Sequence, residues 1–143
     1  MSELKERLTR VVGVWEGTYT SVTPTGELIE RYRSRQETSF DGNRWRERIT
    51  YFRDGREPET HDFAGRFEDG LLLFEDDDIL GDTYFVSEDI LVLPYTWKSR
   101  PHEKVVETVI LASATHKARV WQVFSDEELV RVMIISEHLV AVP

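Results

Sequence analysis

Three polar residues in otherwise apolar stretches of the C-terminal third are the first that could do chemistry: Glu107, Gln122 and Arg131. Each lies in a run of strand-forming residues, and the turn-forming stretches Ser113-Ala114-Thr115 and Ser125-Asp126-Glu127 set how those runs align. Centring the first hairpin on Ala114-Thr115 places Glu107 opposite Gln122. Centring the second on Asp126-Glu127 places Gln122 opposite Arg131. Residues directly opposed on antiparallel strands share a face. The spacing therefore predicts a row of carboxylate, amide and guanidinium, set among Val105, Val109, Val120, Phe124 and Met133. Facing a closed interior, the row is a polar anchor. Arg131 could grip a carboxylate or enolate through two parallel hydrogen bonds, with Glu107 neutralising it or acting as a base. On an outer face the same row is a solvated ion pair of little energy.

The elements that position these residues follow from the punctuation of the chain. Turn chemistry recurs at Pro24-Thr25-Gly26, Asp41-Gly42-Asn43, Asp54-Gly55, Asp69-Gly70, Gly81-Asp82 and Ser87-Glu88-Asp89, and again at Ser99-Arg100-Pro101 and the two stretches already named. Between these breaks lie short segments rich in Val, Ile, Thr, Tyr, Phe and Trp, which is strand composition. Nine breaks imply about ten strands. The connections are too short for the helical crossovers that parallel strands require, so the sheet is antiparallel. So many strands in a meander favour an up-and-down β-barrel of 8–10 strands, because closure removes exposed edges. A short N-terminal helix is expected from Ser2 to about Arg10, with Leu4, Leu8 and Val11 or Val12 on one face and Ser2 as cap. It could plug one end of the barrel. The 143 residues suit a single domain over 1–143.

Sixteen aromatic residues exceed what a small barrel floor uses, so part of them is expected to line a cavity. The candidates are Tyr19, Trp45, Tyr51, Phe63, Trp97 and Trp121. His61 alternates with Phe63, Gly65 and Phe67, where a histidine could serve as base or ligand, or sit half-buried at the barrel mouth. The four histidines show neither His-x-His nor His-Glu-x-x-His spacing, and no metal site is expected. Glu75-Asp76-Asp77-Asp78 lacks the spaced oxygens of a calcium loop and reads as a solvated turn. Arg31, Arg33 and Arg35 share a strand face and read as a solvated edge.

The chain has no cysteine, which removes disulfides, thiolate metal sites and cysteine nucleophiles. Its formal charge of −9 repels phosphate backbones and anionic membranes, so no nucleic acid and no membrane partner is expected. No signal-like or membrane-spanning run is present, and the expected address is the cytoplasm. A homodimer is compatible with an exposed strand face, though no particular face is marked for it. Nucleotide-binding loops and serine-hydrolase motifs are absent.

The start of the first strand, Gly13-Val14-Trp15-Glu16-Gly17-Thr18-Tyr19, follows the expected helix and resembles the opening motif of the calycin superfamily, the lipocalin and fatty-acid-binding-protein-like barrels. With the stretches around Glu107, Arg119-Val120-Trp121-Gln122 and Ile134-Ile135-Ser136-Glu137, the chain is similar to a lipocalin-like family of unknown function related to phycobiliprotein chromophore lyases. The resemblance implies a barrel with a ligand cavity, its floor closed by Trp15. The expected function is binding of a small apolar or aromatic ligand, with or without an acidic group, and no cofactor. The alternative is a cofactor-independent isomerase, lyase or cyclase with Glu107 as acid–base group and Arg131 stabilising negative charge. A haem protein with His138 or His61 as axial ligand is the third reading.

Overall fold

The computed structural model describes residues 3–75 and 79–142. Helix α1 (Glu3–Leu8) runs into one 3-10 turn (Thr9–Val11). Ten strands follow: β1 (Gly13–Val22), β2 (Leu28–Asp41), β3 (Arg44–Phe52), β4 (Glu59–Glu68), β5 (Leu71–Glu75), β6 (Ile79–Ser87), β7 (Ile90–Trp97), β8 (Arg100–Leu111), β9 (His116–Ser125) and β10 (Glu128–Ala141). Each strand pairs antiparallel with its sequence neighbours, and β1 also pairs with β10, so the sheet closes into an up-and-down barrel. The cap expected from Ser2 and the charged turn of Asp76, Asp77 and Asp78 lie outside the described residues.

The turns explain why closure happens at these points. Asp69 and Gly70 have φ of 52° and 78°, and Asp126 and Glu127 have 50° and 69°. Positive φ at both central residues matches the right-handed twist of the strands that such turns join. The break expected at Gly81-Asp82 is not a turn. Gly81 lies inside β6 opposite Tyr95, and a Cβ there would stand 2.5 Å from the Pro94 carbonyl oxygen and from the Tyr95 Cβ. Glycine at this position permits close approach of two strands rather than a reversal of the chain.

Two details of register move the row of polar residues. The β8–β9 connection is centred on Ala114 rather than on the Ala114–Thr115 bond, so Glu107 faces Trp121 and Gln122 faces Val106. The β9–β10 hairpin begins with Glu128 opposite Ser125 and Leu129 opposite Phe124, as the turn predicts. A bulge at Val130 then shifts the pairing, so Gln122 meets Val132 and Arg131 meets Val123. Because side chains alternate across a strand, each one-residue slip moves a side chain to the other face of the sheet.

Strand alternation fills the interior. On β8 the buried positions are Val105, Glu107, Val109 and Leu111, and on β2 they are Tyr32, Ser34, Gln36 and Thr38. Leu4, Leu8 and Val11 turn inward from α1 and its 3-10 extension to close one end. The closure is held from outside as well. The Lys5 ammonium lies over the rings of Phe40 and Phe67, and Arg10 donates to the Glu88 carbonyl at 2.9 Å and to Asp89 Oδ1 at 3.0 Å. At the opposite end Tyr19, Tyr32 and Tyr51 pack with Ile49, Met133 and Ile135 in a second cluster.

Candidate functional site

A cavity of about 60 Å³ lies inside the barrel behind α1. That is several times the roughly 10–15 Å³ needed by one water. Its apolar wall includes Leu8, Val11, Trp45, Phe63, Leu91 and Trp121. Glu47, Glu107, Lys117 and Arg119 also reach it, so the cavity is a greasy chamber with one strongly polar side.

That polar side is built from residues of five strands, β1, β2, β8, β9 and β10. Arg119 on β9 donates from Nε to Glu137 Oε1 at 2.7 Å and from Nη2 to Glu137 Oε2 at 3.1 Å, a two-pronged grip on one carboxylate. Its Nη1 donates to Glu107 Oε2 at 3.1 Å, and its Nη2 also donates to the Tyr19 hydroxyl. Two residues earlier on β9, Lys117 donates to the Gln36 side-chain oxygen, lies 3.8 Å from Glu137 Oε1, and stands 4.6 Å over the Trp15 ring. All of these groups are buried.

Gly17 explains how a carboxylate side chain fits so close to the wall. A Cβ at Gly17 would stand 2.0 Å from the Ser136 carbonyl oxygen and 2.7 Å from Glu137 Cγ. The Gly-Val-Trp-Glu-Gly stretch therefore does two jobs. Trp15 is buried, with its indole N–H on the Val11 carbonyl at 3.0 Å, and Gly17 clears the path of Glu137.

Electrostatics follow from burial and partners. Burial works against charge on Arg119, but Glu137, Tyr19 and Glu107 outweigh it and hold the guanidinium above its ordinary pKa. Burial likewise disfavours the Glu137 carboxylate, yet Arg119 and Lys117 bring it below the ordinary carboxyl range. Lys117 is lowered by burial, which Glu137 only partly offsets. Glu47 goes the other way: burial first and the nearby Glu107 second push its carboxyl up. Tyr19 is also pushed up, chiefly by burial.

The residues singled out from the sequence separate into groups. Trp45, Phe63, Glu107 and Trp121 line the cavity together. Tyr19 and Tyr51 are buried in the tyrosine cluster at the other end, outside the lining. Trp97 packs edge-on to Tyr95 at 5.9 Å, also outside the lining. His61 is half-exposed, bonded to Glu59 at 2.9 Å and stacked on Phe63 at 6.4 Å. Gln122 is exposed on the outer face. Arg131 is exposed near Tyr32, whose hydroxyl feels its charge. The level row of Glu107, Gln122 and Arg131 is thus not assembled. The cation that meets Glu107 is Arg119, and the partners missed from the sequence are Glu47, Lys117, Arg119 and Glu137. The signal for them was the odd-numbered column Lys117, Arg119, Trp121, which shares the Glu107 face once the hairpin is centred on a residue instead of a bond. Among the described residues no group of three or more His, Asp or Glu is arranged to hold a metal ion, and no helix is long and apolar enough to cross a membrane.

Comparison with known proteins places this geometry. The chain belongs to the DUF3598 family: the profile of its N-terminal domain, a domain of unknown function, matches residues 1–142. A DUF3598 protein of unknown function from Nostoc punctiforme has the same fold at 13% identity, with a TM-score of 0.77. The match covers 93% of this chain and 49% of that one, so the present chain spans about half of its length. The S-type phycobiliprotein lyase CPES from Guillardia theta superposes with a TM-score of 0.77 at 17% identity, over 98% of this chain and 93% of the lyase. Rv2717c from M. tuberculosis gives a TM-score of 0.68 at 12% identity, over 98% and 99% of the two chains. No curated protein matches the chain. The lipocalin-like barrel inferred from the Gly-x-Trp start is therefore the family's fold.

Proposed function

Taking the DUF3598 barrel as premise, we propose that this protein binds a small, largely apolar or aromatic ligand in the cavity behind α1. The observation that carries the reading is a set of buried polar atoms without protein partners. Trp121 Nε1, Thr38 Oγ1 and Thr83 Oγ1 all belong to residues of the cavity wall, and none has a hydrogen-bond partner among the described residues. Leaving such a group unsatisfied costs about 1–3 kcal/mol. Three of them around one apolar chamber support a ligand with acceptor atoms, since indole N–H and hydroxyl groups can donate to it.

The phycobiliprotein lyase neighbour makes a bilin-type chromophore the first compound class to try. Even a single aromatic ring, which an apolar cavity of about 150 Å³ accepts, exceeds 60 Å³, so uptake of any such ligand requires side chains such as Phe63 to swing aside. An acidic group on the ligand is not favoured, because the interior Arg119 already serves two carboxylates and Arg131 stands beside Tyr32 at the packed end of the barrel away from α1. Binding is favoured over an isomerase, lyase or cyclase reading because Glu107 and Arg131 do not face one reacting centre. The acidic, cysteine-free chain fits the cytoplasm, which we adopt as its compartment. Native mass spectrometry of the purified protein, followed by mass analysis of what is released on denaturation, tests the reading. A stoichiometric small molecule, or a thermal shift with single-ring aromatics or a bilin, is expected. An empty protein that no such compound stabilises would sink it.

A further inference from the structure

Inside the barrel two cations face two committed carboxylates. Arg119 spends its donors on Glu137, Glu107 and the Tyr19 hydroxyl, and Lys117 is held by Gln36 and Glu137. An anionic group entering the cavity finds both cations taken. The remaining carboxyl of the wall is Glu47 on β3, and among the described residues no cation is paired with it. Thr38 is its direct partner across β2, with an unpaired Oγ1. Trp45 lies two residues before it on the same face, and its indole N–H acts on the Glu47 carboxyl as a donor, lowering its pKa against burial. A carboxyl with donors at its flanks and no cation of its own is arranged to hold one.

We propose that Glu47 is the recognition group for a basic nitrogen, so that the cavity takes aromatic ligands bearing an amine, imine or basic ring nitrogen. The inference rests on the cavity-binding reading above and names its ligand class. Burial and the neighbouring Glu107 push the Glu47 carboxyl up, a cost that a cation beside it offsets. The titratable and charged groups around it are Glu107 on β8, Lys117 and Arg119 on β9 and Tyr95 on β7. Arg44, Arg46, Arg48, Glu37 and Asp62 border Glu47 from the outer surface. One proton lies between the ligand nitrogen and the Glu47 carboxyl along a single N···O hydrogen bond, so the pair is held whichever atom carries it and no further bond breaks.

The test uses benzimidazole, indole and indole-2-carboxylate, probes of one ring system that differ in a basic nitrogen or an acid group. Titrated calorimetrically at neutral pH, benzimidazole is expected to bind about 10-fold or more tighter than indole, as a charge-assisted hydrogen bond allows. Glu47→Gln, a near-isosteric neutral replacement, should bring the two within about 2-fold. Infrared difference spectra should show a change in a carboxyl or carboxylate band when benzimidazole binds the native protein, and no such change in the variant. Thr38→Val should reduce the preference in part. Indole binding as tightly as benzimidazole, a preference that survives Glu47→Gln, or tightest binding of indole-2-carboxylate would each overturn this inference and leave the cavity reading standing. Binding of none of the three would overturn both.

Discussion

The two ends of the barrel are built from the same residue types and do opposite things with them. At the end away from α1, Tyr19, Tyr32 and Tyr51 fill the space: Tyr19 stacks on Tyr32 at 5.3 Å and meets Tyr51 edge-on at 5.1 Å, and Tyr32 meets Tyr51 at 5.2 Å. At the α1 end, Trp45, Phe63 and Trp121 surround a void. The difference lies in how the rings meet one another. Tyr19 pairs directly with Tyr32 and both touch Tyr51, so the three rings interlock. Near the void Thr38 and Thr83 line the wall along with the large rings and leave space among them. The Arg119 network stands between the two ends, with its guanidinium 5.3 Å from the Tyr19 ring and 5.7 Å from the Trp121 ring. Ring content alone therefore does not mark a ligand site; whether the rings pack on one another does.

The most disruptive way to break this division is to remove its partition. Arg119→Met strands Glu107 and Glu137 in the interior and should cost about 3–5 kcal/mol of stability in urea titrations. Arg48→Ala, which removes a solvent-exposed ion pair with Asp62 on the outer wall, should leave the urea midpoint nearly unchanged. Comparable losses from the two would mean that the buried network is not structural.

A sharper contrast comes from truncation at each end. Ile135→Ala, at a fully buried site paired with Tyr19, should cost about 4–5 kcal/mol because packed neighbours cannot collapse into the space. Leu91→Ala, on the wall of the existing cavity, should cost only about 2–3 kcal/mol, because that side chain already lacks partners on one side. Equal costs would argue that the void is not present in solution.

The smallest effect has the opposite sign. Thr83→Val removes a buried hydroxyl that has no partner and should stabilise the protein by about 1 kcal/mol in thermal denaturation. It should also weaken binding of any ligand that accepts from that hydroxyl. A destabilised variant would show that the hydroxyl is already satisfied, and would remove one of the three groups on which the cavity reading rests.

Much of the fold was legible in local chemistry. Asp69-Gly70 and Asp126-Glu127 reverse the chain where turn residues predict, since the preference for positive φ is a property of the residues themselves. The turn signals and short connections sufficed for an antiparallel barrel, and the Gly-x-Trp start together with the stretches around Glu107, Arg119-Val120-Trp121-Gln122 and Ile134-Ile135-Ser136-Glu137 for its family. Where a residue type has two uses, local reading failed. Gly81 looked like a turn and serves a close strand approach, because only the opposing Pro94 and Tyr95 reveal the constraint.

For the site, the sequence by itself determined that Glu107 would lie in a strand near other polar groups and that aromatics would outnumber the needs of a floor. Only the tertiary structure decided which polar groups meet. The centring of one loop on Ala114 and a single bulge at Val130 put Gln122 outside and brought Arg119 to Glu107. The physical reason is the two-residue period of a strand. An error of one residue is invisible to composition and pattern, yet it exchanges the interior of the barrel for its surface.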